Sequence, residues 1–352
     1  MPVVSPKIEP SLHLTIPPPT RMLPSNYAAF VLIVFCLILI STSIVALSNS
    51  DALKSSKARP KSSPSSLSMS TPSAAHDDVT LQLSKNEAKE HQGTHEMKIL
   101  FDDMSSRDVI VCACPLDSSP PETPGYTTAK TKTVHFVRHG QGFHNLLADS
   151  YRSEGKTWTQ YTTHPSNPYV KPEITDAPLT HKGRLQATSL QPLTSTLPID
   201  LVVVSPQNRA THTALLAFSH LIPSTISSGK PLVPFLAYEG VREETGVHVC
   251  DMRRSITEAK KEFPYIDYSL IKSDLDPMFM TDRRETKEEI GGRIYDFLMW
   301  LKEREEQNVA VASHSGWLMT VFNGVVLSTE ELLPWFQTGE LRSVKLEWRV
   351  KN

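Results

Sequence analysis

Four consecutive apolar residues, Leu201 to Val204, run directly into a polar loop, "SPQNR", and then into a helix-like segment from Arg209. The same three-part unit occurs twice more. Val134 and Phe136, with their β-branched neighbours, alternate into "RHGQGFHN", and Val309 to Ala312 lead into "SHSG" and an apolar helical pattern. Short apolar runs bounded by turn residues read as buried strands. Strands alternating with helices specify a wound α/β sheet, whose ligands sit at the carboxyl ends of its strands. The expected fold is a three-layer α/β/α sandwich with a mostly parallel central sheet. Three strand ends then each deliver an arginine or a histidine toward one crevice. A further helix is expected from Lys182, capped by Thr180, with Leu185 and Leu190 near its buried face.

The rest of the chain divides by composition. Residues 1–25 form a short polar tail, and residues 26–47, "NYAAFVLIVFCLILISTSIVAL", carry no charge and match the length needed to cross a bilayer. That run predicts a single transmembrane anchor, the alternative being a cleaved secretory signal. Lys54, Lys57, Arg59 and Lys61 follow the span against Lys7 and Arg21 before it, an excess that leaves the C-terminal part in the cytoplasm. The signal reading would instead place it in the secretory pathway or an organelle. Residues 48–130 are rich in Ser and Pro and read as a disordered linker, so that removing everything before Thr127 would cost no core. The catalytic domain is then expected over residues 131–352. "RDVIVCACPLD", from Arg107, is a patch able to add an edge strand; its Cys112 and Cys114 read as small apolar residues rather than a ligand pair. A net charge of -2 gives no reason to expect a nucleic-acid partner.

Five segments, "VRHG" at Val137 to Gly140, Asn145, "LTHKGRLQA", "SPQNRATHTA" and "ASHSG", taken in this order, resemble the histidine phosphatase superfamily, also called phosphoglycerate mutase-like. "VREETGVHVCDMRRSITEAKKEFPYIDYSLI" and "GELRS" are similar to its plant and fungal phosphoglycerate mutase-like branch. The resemblance covers roughly Thr131 to Trp348. It implies a metal-independent, cofactor-free phosphatase that hydrolyses a small-molecule or peptide phosphomonoester through a phosphohistidine on His139.

Chemistry agrees with that implication. A neutral imidazole attacks phosphorus in line and splits one hard step into two. Arg138, Arg209 and His314 match the charge on the equatorial oxygens. Gly140 and Gly142 allow backbone N–H groups to approach the phosphate, and Asn145 holds an oxygen. Glu243 stands where the family places the acid that protonates the leaving oxygen, with Glu244 adjacent as the alternative. Two other readings stay open: a mutase that returns the phosphoryl group to a second hydroxyl, and a catalytically weak phosphate-binding module. His144, His181, His212 and His248 read as hydrogen-bonded or exposed, with His248 able to line the substrate side. Arg253 and Arg254 suit either an acidic substrate tail or a charged helix entrance. "RRETKEE" from Arg283 reads as a solvated helix face, and the stretch from Leu146 to Pro178 as the roof of the pocket.

Overall fold

The computed structural model describes residues 95–352, apart from 160 and 225–228. The tail at 1–25, the expected span at 26–47 and the linker up to residue 94 lie outside the described residues. Among the described residues, no helix is long and apolar enough to cross a membrane.

The fold is mixed α/β around a seven-stranded sheet of order β4-β3-β5-β2-β7-β1-β6. Its strands are β1 (Val109–Pro115), β2 (Tyr126–Arg138), β3 (Leu201–Val204), β4 (Phe235–Ala237), β5 (Asn308–Ser313), β6 (Leu327–Ser328) and β7 (Leu341–Lys351). Pairing is parallel between β4 and β3, β3 and β5, β5 and β2, and β1 and β6, and antiparallel where β7 enters between β2 and β1. The helices needed below are α1 (residues 95–105), α2 (Phe143–Ser153), α3 (His181–Thr188), α4 (Asn208–Ala217), α5 (Ile256–Glu262), α6 (Lys287–Glu303) and α7 (Ser315–Thr320).

Side-chain alternation assigns each strand to two cores. Leu201 and Val203, with Phe136, Val309 and Val311, pack on one face with Ile294 and Phe297 of α6 and Trp317 of α7. Val202 and Val204, with Ala310 and Ala312, pack on the other with Ala214 of α4 and Ile256 of α5. A strand buried on both faces needs apolar residues at every position, which explains the unbroken run at Leu201–Val204. Thr180 caps α3 by accepting from the Gly183 N–H at 3.1 Å, but Leu185 on that helix is 57% exposed and contributes to no core. The buried side of α3 is made of Gly183 and Ala187 instead, because α3 lies too close to the loop after β2 to admit a larger residue.

The domain begins before residue 131, which corrects the expected linker boundary. Residues 95–130 supply α1, the whole of β1 and the first half of β2. β1 is no edge strand either, since it lies between β7 and β6. Cys112 and Cys114 are fully buried in it, and Leu100 and Met104 of α1 join the core beneath it. Close approach fixes α1 in place: a Cβ built on Gly291 of α6 would lie 2.5 Å from Leu100 Cδ1. Composition misled here because the Ser/Pro-rich character belongs to the residues before 95, while the segment that follows is short and carries few apolar residues.

Candidate active site

The order β3-β5-β2 sets three strand ends side by side, so the loops carrying Arg209, His314 and His139 emerge together. His139 is 1% exposed, and its Nδ1 lies 2.7 Å from the Gly140 carbonyl oxygen. A carbonyl only accepts, so Nδ1 carries the proton and Nε2 presents a lone pair. Arg209 Nε sits 3.3 Å from that Nε2. Burial, reinforced by Arg209 and Arg138, holds the His139 pKa well below its ordinary value, so the ring is neutral at neutral pH. His314 faces His139 with ring centroids 5.0 Å apart; its Nε2 is 2.8 Å from Ser205 Oγ and its Nδ1 has no partner.

Arg209 is fixed by its remaining nitrogens. One donates to the Cys250 carbonyl at 2.6 Å and the other to Asp251 Oδ1 at 2.9 Å. Asp251 Oδ2 accepts in turn from Arg284 at 2.7 Å, and Arg284 also reaches Glu244 Oε1 at 3.3 Å. Burial works against ionisation of Glu244, but Arg284 and Lys287 outweigh it and hold its pKa below the ordinary value. Arg138 donates to the Phe336 carbonyl at 2.7 Å and leaves its Nε without a partner. The two phosphate-facing arginines thus differ: Arg209 is locked by a carboxylate and a carbonyl, Arg138 by a carbonyl alone.

Glu243 is held differently from its neighbour. Its carboxylate accepts from the Trp317 N–H at 2.9 Å and the Gly316 N–H at 3.0 Å in the first turn of α7, and from the Glu244 N–H at 3.0 Å. Both acids line a cavity of about 460 Å³ above the strand ends, together with Arg138, Arg209 and Asn145. Asn145 Oδ1 accepts the Gly142 N–H at 3.0 Å, which leaves its amide nitrogen toward the cavity as the group able to donate.

Gly140 does not offer its N–H to a ligand. That N–H donates to Thr213 Oγ1 at 3.0 Å, which corrects its expected place among the phosphate donors. The glycine is required for a different reason: a Cβ there would lie 2.3 Å from the Gly183 carbonyl oxygen of α3. Among the described residues, no cluster of three or more His, Cys, Asp or Glu side chains is arranged to hold a metal ion.

The sequence model of the histidine phosphatase superfamily (branch 1) matches residues 173–351. The chain belongs to the histidine phosphatase superfamily. The matched span includes Arg209, Glu243 and His314 and starts after the loop that carries His139. Among similar superfamily proteins, an Arabidopsis thaliana phosphoglycerate mutase-like protein is 34% identical over 215 residues, covering 55% of this chain and 74% of that one. Phosphoglycerate mutase-like protein 1 of the same plant is 32% identical over 246 residues, covering 62% and 82%. A probable phosphatase of Schizosaccharomyces pombe is 29% identical over 150 residues, covering 42% and 56%.

Several residues of this histidine phosphatase cavity escape sequence reasoning. Arg284 and Lys287, from the run read as a solvated face, turn inward onto Glu244 and Asp251. A dense charge run carries no periodic apolar signal, and only the distant acids reveal its orientation. Arg253 and Arg254 do the reverse. Arg253 donates to Glu239 and to the carbonyls of Ser273, Asp274 and Leu275, while Arg254 pairs with Asp176 and Glu262, and neither lines the cavity. His144 and His248 are buried in the cavity wall, and Tyr161 and Tyr169 from the stretch 146–178 line it as well.

Proposed function

We propose that this superfamily member is a metal-independent phosphomonoesterase that works through a phosphohistidine on His139. The observation that carries the reading is the state of His139: neutral, with Nδ1–H engaged by a carbonyl and the Nε2 lone pair beside the Arg209 guanidinium. In that state the ring needs no deprotonation before it attacks.

A phosphate monoester enters with its oxygens toward Arg138, Arg209, the Asn145 amide and His314. Nε2 of His139 forms a bond to phosphorus as the ester P–O bond breaks, and Glu243 gives its proton to the leaving oxygen. Water then attacks the phosphohistidine, Glu243 takes a proton from it, and inorganic phosphate leaves with His139 neutral again. Arg209 cannot swing away from the transferred group, because Asp251 and the Cys250 carbonyl hold it.

Phosphatase is preferred to mutase on the fate of two arginines. A mutase acting on phosphoglycerates needs guanidinium groups for the substrate carboxylate, and Arg253 and Arg254, which follow the acid in sequence, are committed elsewhere. With 3-phosphoglycerate the expected product is free phosphate; interconversion of phosphoglycerates faster than phosphate release would remove the preference.

Glu243 is assigned the acid because its carboxylate is free of any cationic partner, whereas Glu244 is paired with Arg284 and Lys287. Glu243→Gln is expected to slow alkyl phosphate hydrolysis by about 10²–10⁴-fold and p-nitrophenyl phosphate hydrolysis far less, since nitrophenolate leaves unprotonated. Glu244→Gln should show no such selectivity. Equal damage to both substrates from Glu243→Gln would make that residue structural.

The proposal retains a membrane anchor at residues 26–47 with the enzyme on the cytoplasmic side, supported by the uncharged run and the cations that follow it. Protease added to the cytoplasmic face of sealed membranes should then digest the catalytic part; complete protection would favour a cleaved secretory signal.

A further inference from the structure

A row of rings leads away from His139 along one wall of the cavity. Ring centroids are 5.5 Å apart from His139 to His144, 6.5 Å from His144 to Tyr169, and 4.8 Å from Tyr169 to His248. Tyr161 stacks on the far side of His248 at 5.9 Å and 15°. The row therefore continues beyond His144 for more ring-to-ring steps than a three-carbon chain spans once its phosphate lies over His139.

Two members of the row are polar groups without partners. His144 and His248 are 6% and 7% exposed, and His144 Nδ1 and His248 Nε2 make no hydrogen bond. Both rings are neutral, for burial and Arg209 hold His144 well below its ordinary value, and burial and Arg284 push His248 down to about 4. A buried polar atom left unpaired costs about 1–3 kcal/mol, a cost relieved when a ligand supplies the partner.

The charges around the row restrict that ligand. Arg284 is committed to Asp251 and Glu244, and Arg152 to Asp149. Lys182, the other cation of the wall, belongs to α3 and touches none of these rings. A second anionic group lying along the row would meet no free cation. An alkyl chain would leave both imidazoles unpaired. A hydroxyl both donates and accepts, so it suits an imidazole nitrogen in either tautomer. The tyrosines add flat apolar surface against which the C–H face of a saturated ring can lie.

The backbone presents the outer pair under strain. Tyr161 and Val247, the residue before His248, have φ of 62° and 56°, in the left-handed region that costs a β-branched residue most.

We propose that this row is the leaving-group subsite and that it takes a neutral hydroxylated ring, so that the substrates are monophosphates of sugars or cyclitols. The inference rests on the reading of the cavity as a phosphomonoester site and narrows it to one class.

Binding separates this inference from the catalytic one. The full chain carrying His139→Ala, or His139→Gln if the alanine variant fails to fold, is titrated calorimetrically with four ligands: glucose 6-phosphate, glycerol 3-phosphate, 3-phosphoglycerate and adenosine 5′-monophosphate. Glucose 6-phosphate is expected to bind about tenfold tighter than glycerol 3-phosphate, as one or two hydrogen bonds and a ring contact provide. Adding Tyr161→Ala or His248→Gln should bring the two affinities together. Tyr161 is half exposed, so its removal takes little from the core. Equal affinities in the parent, tighter binding of 3-phosphoglycerate, a preference that survives both substitutions, or a preference for the nucleotide that the substitutions remove would each overturn the proposal. A ring preference in a wild-type chain that releases no phosphate would sink the phosphatase reading alone. Phosphate release without the preference would sink only the subsite.

Discussion

His139→Ala is expected to lower phosphate release from every monoester by about four orders of magnitude or more, the scale seen when a covalent nucleophile is lost. Turnover of radiolabelled substrate by the wild-type chain should leave an alkali-stable, acid-labile label on the protein, the behaviour of a phosphohistidine. His144→Ala should still take the label, although that ring lies only 5.5 Å from His139. A chelator should leave turnover unchanged. Because burial, Arg209 and Arg138 keep His139 neutral, activity should not fall as the pH drops through the ordinary histidine range on account of this residue. Full activity in His139→Ala, a label that survives it, or loss of turnover on chelation would each refute the mechanism.

A chain that begins at Thr127 is expected not to fold, whereas one that begins at residue 95 retains every element described. The longer deletion removes α1 and β1, with Leu100, Met104, Ile110 and Val111 among the core side chains lost. Each fully buried side chain of this size is worth about 1.5–3 kcal/mol, against a total stability of about 5–15 kcal/mol for a typical domain. It also strips β7 of one neighbour and leaves β6 without a partner. Solubility and urea unfolding of the two chains provide the comparison. Cooperative unfolding of the Thr127 chain at an unchanged urea midpoint would mean that β1 is dispensable.

What could be read in advance follows from which signals are local. Val202 and Val204 face one core and Leu201 and Val203 the other, so burial of both faces writes itself into four adjacent letters. Arg209 and His314 each stand a few residues beyond such a run, and topology then brings their loops together. β1 was harder, since its neighbours β7 and β6 lie more than two hundred residues away and its flanks are polar. Arg284 was misread for a related reason. Nothing in "RRETKEE" distinguishes the guanidinium that meets Asp251 from Arg283, which pairs on the surface with Glu289. Gly140 was read correctly as a place of close approach, but the approaching group is the backbone of α3 rather than a phosphate.

The placement of β7 between β2 and β1 has a consequence for synthesis on the ribosome. β1 and the first half of β2 pair with β7, which lies C-terminal to every other strand of the sheet. While the polypeptide emerges, Ile110, Val111 and Trp348 cannot meet, so the two earliest strands must wait unpaired along that side until residues 341–351 have left the exit tunnel. Pairings so distant in sequence close slowly. The nascent chain therefore carries an open, apolar strand edge for most of its translation, and that interval, rather than any weakness of the finished sheet, is where it depends on protection from aggregation.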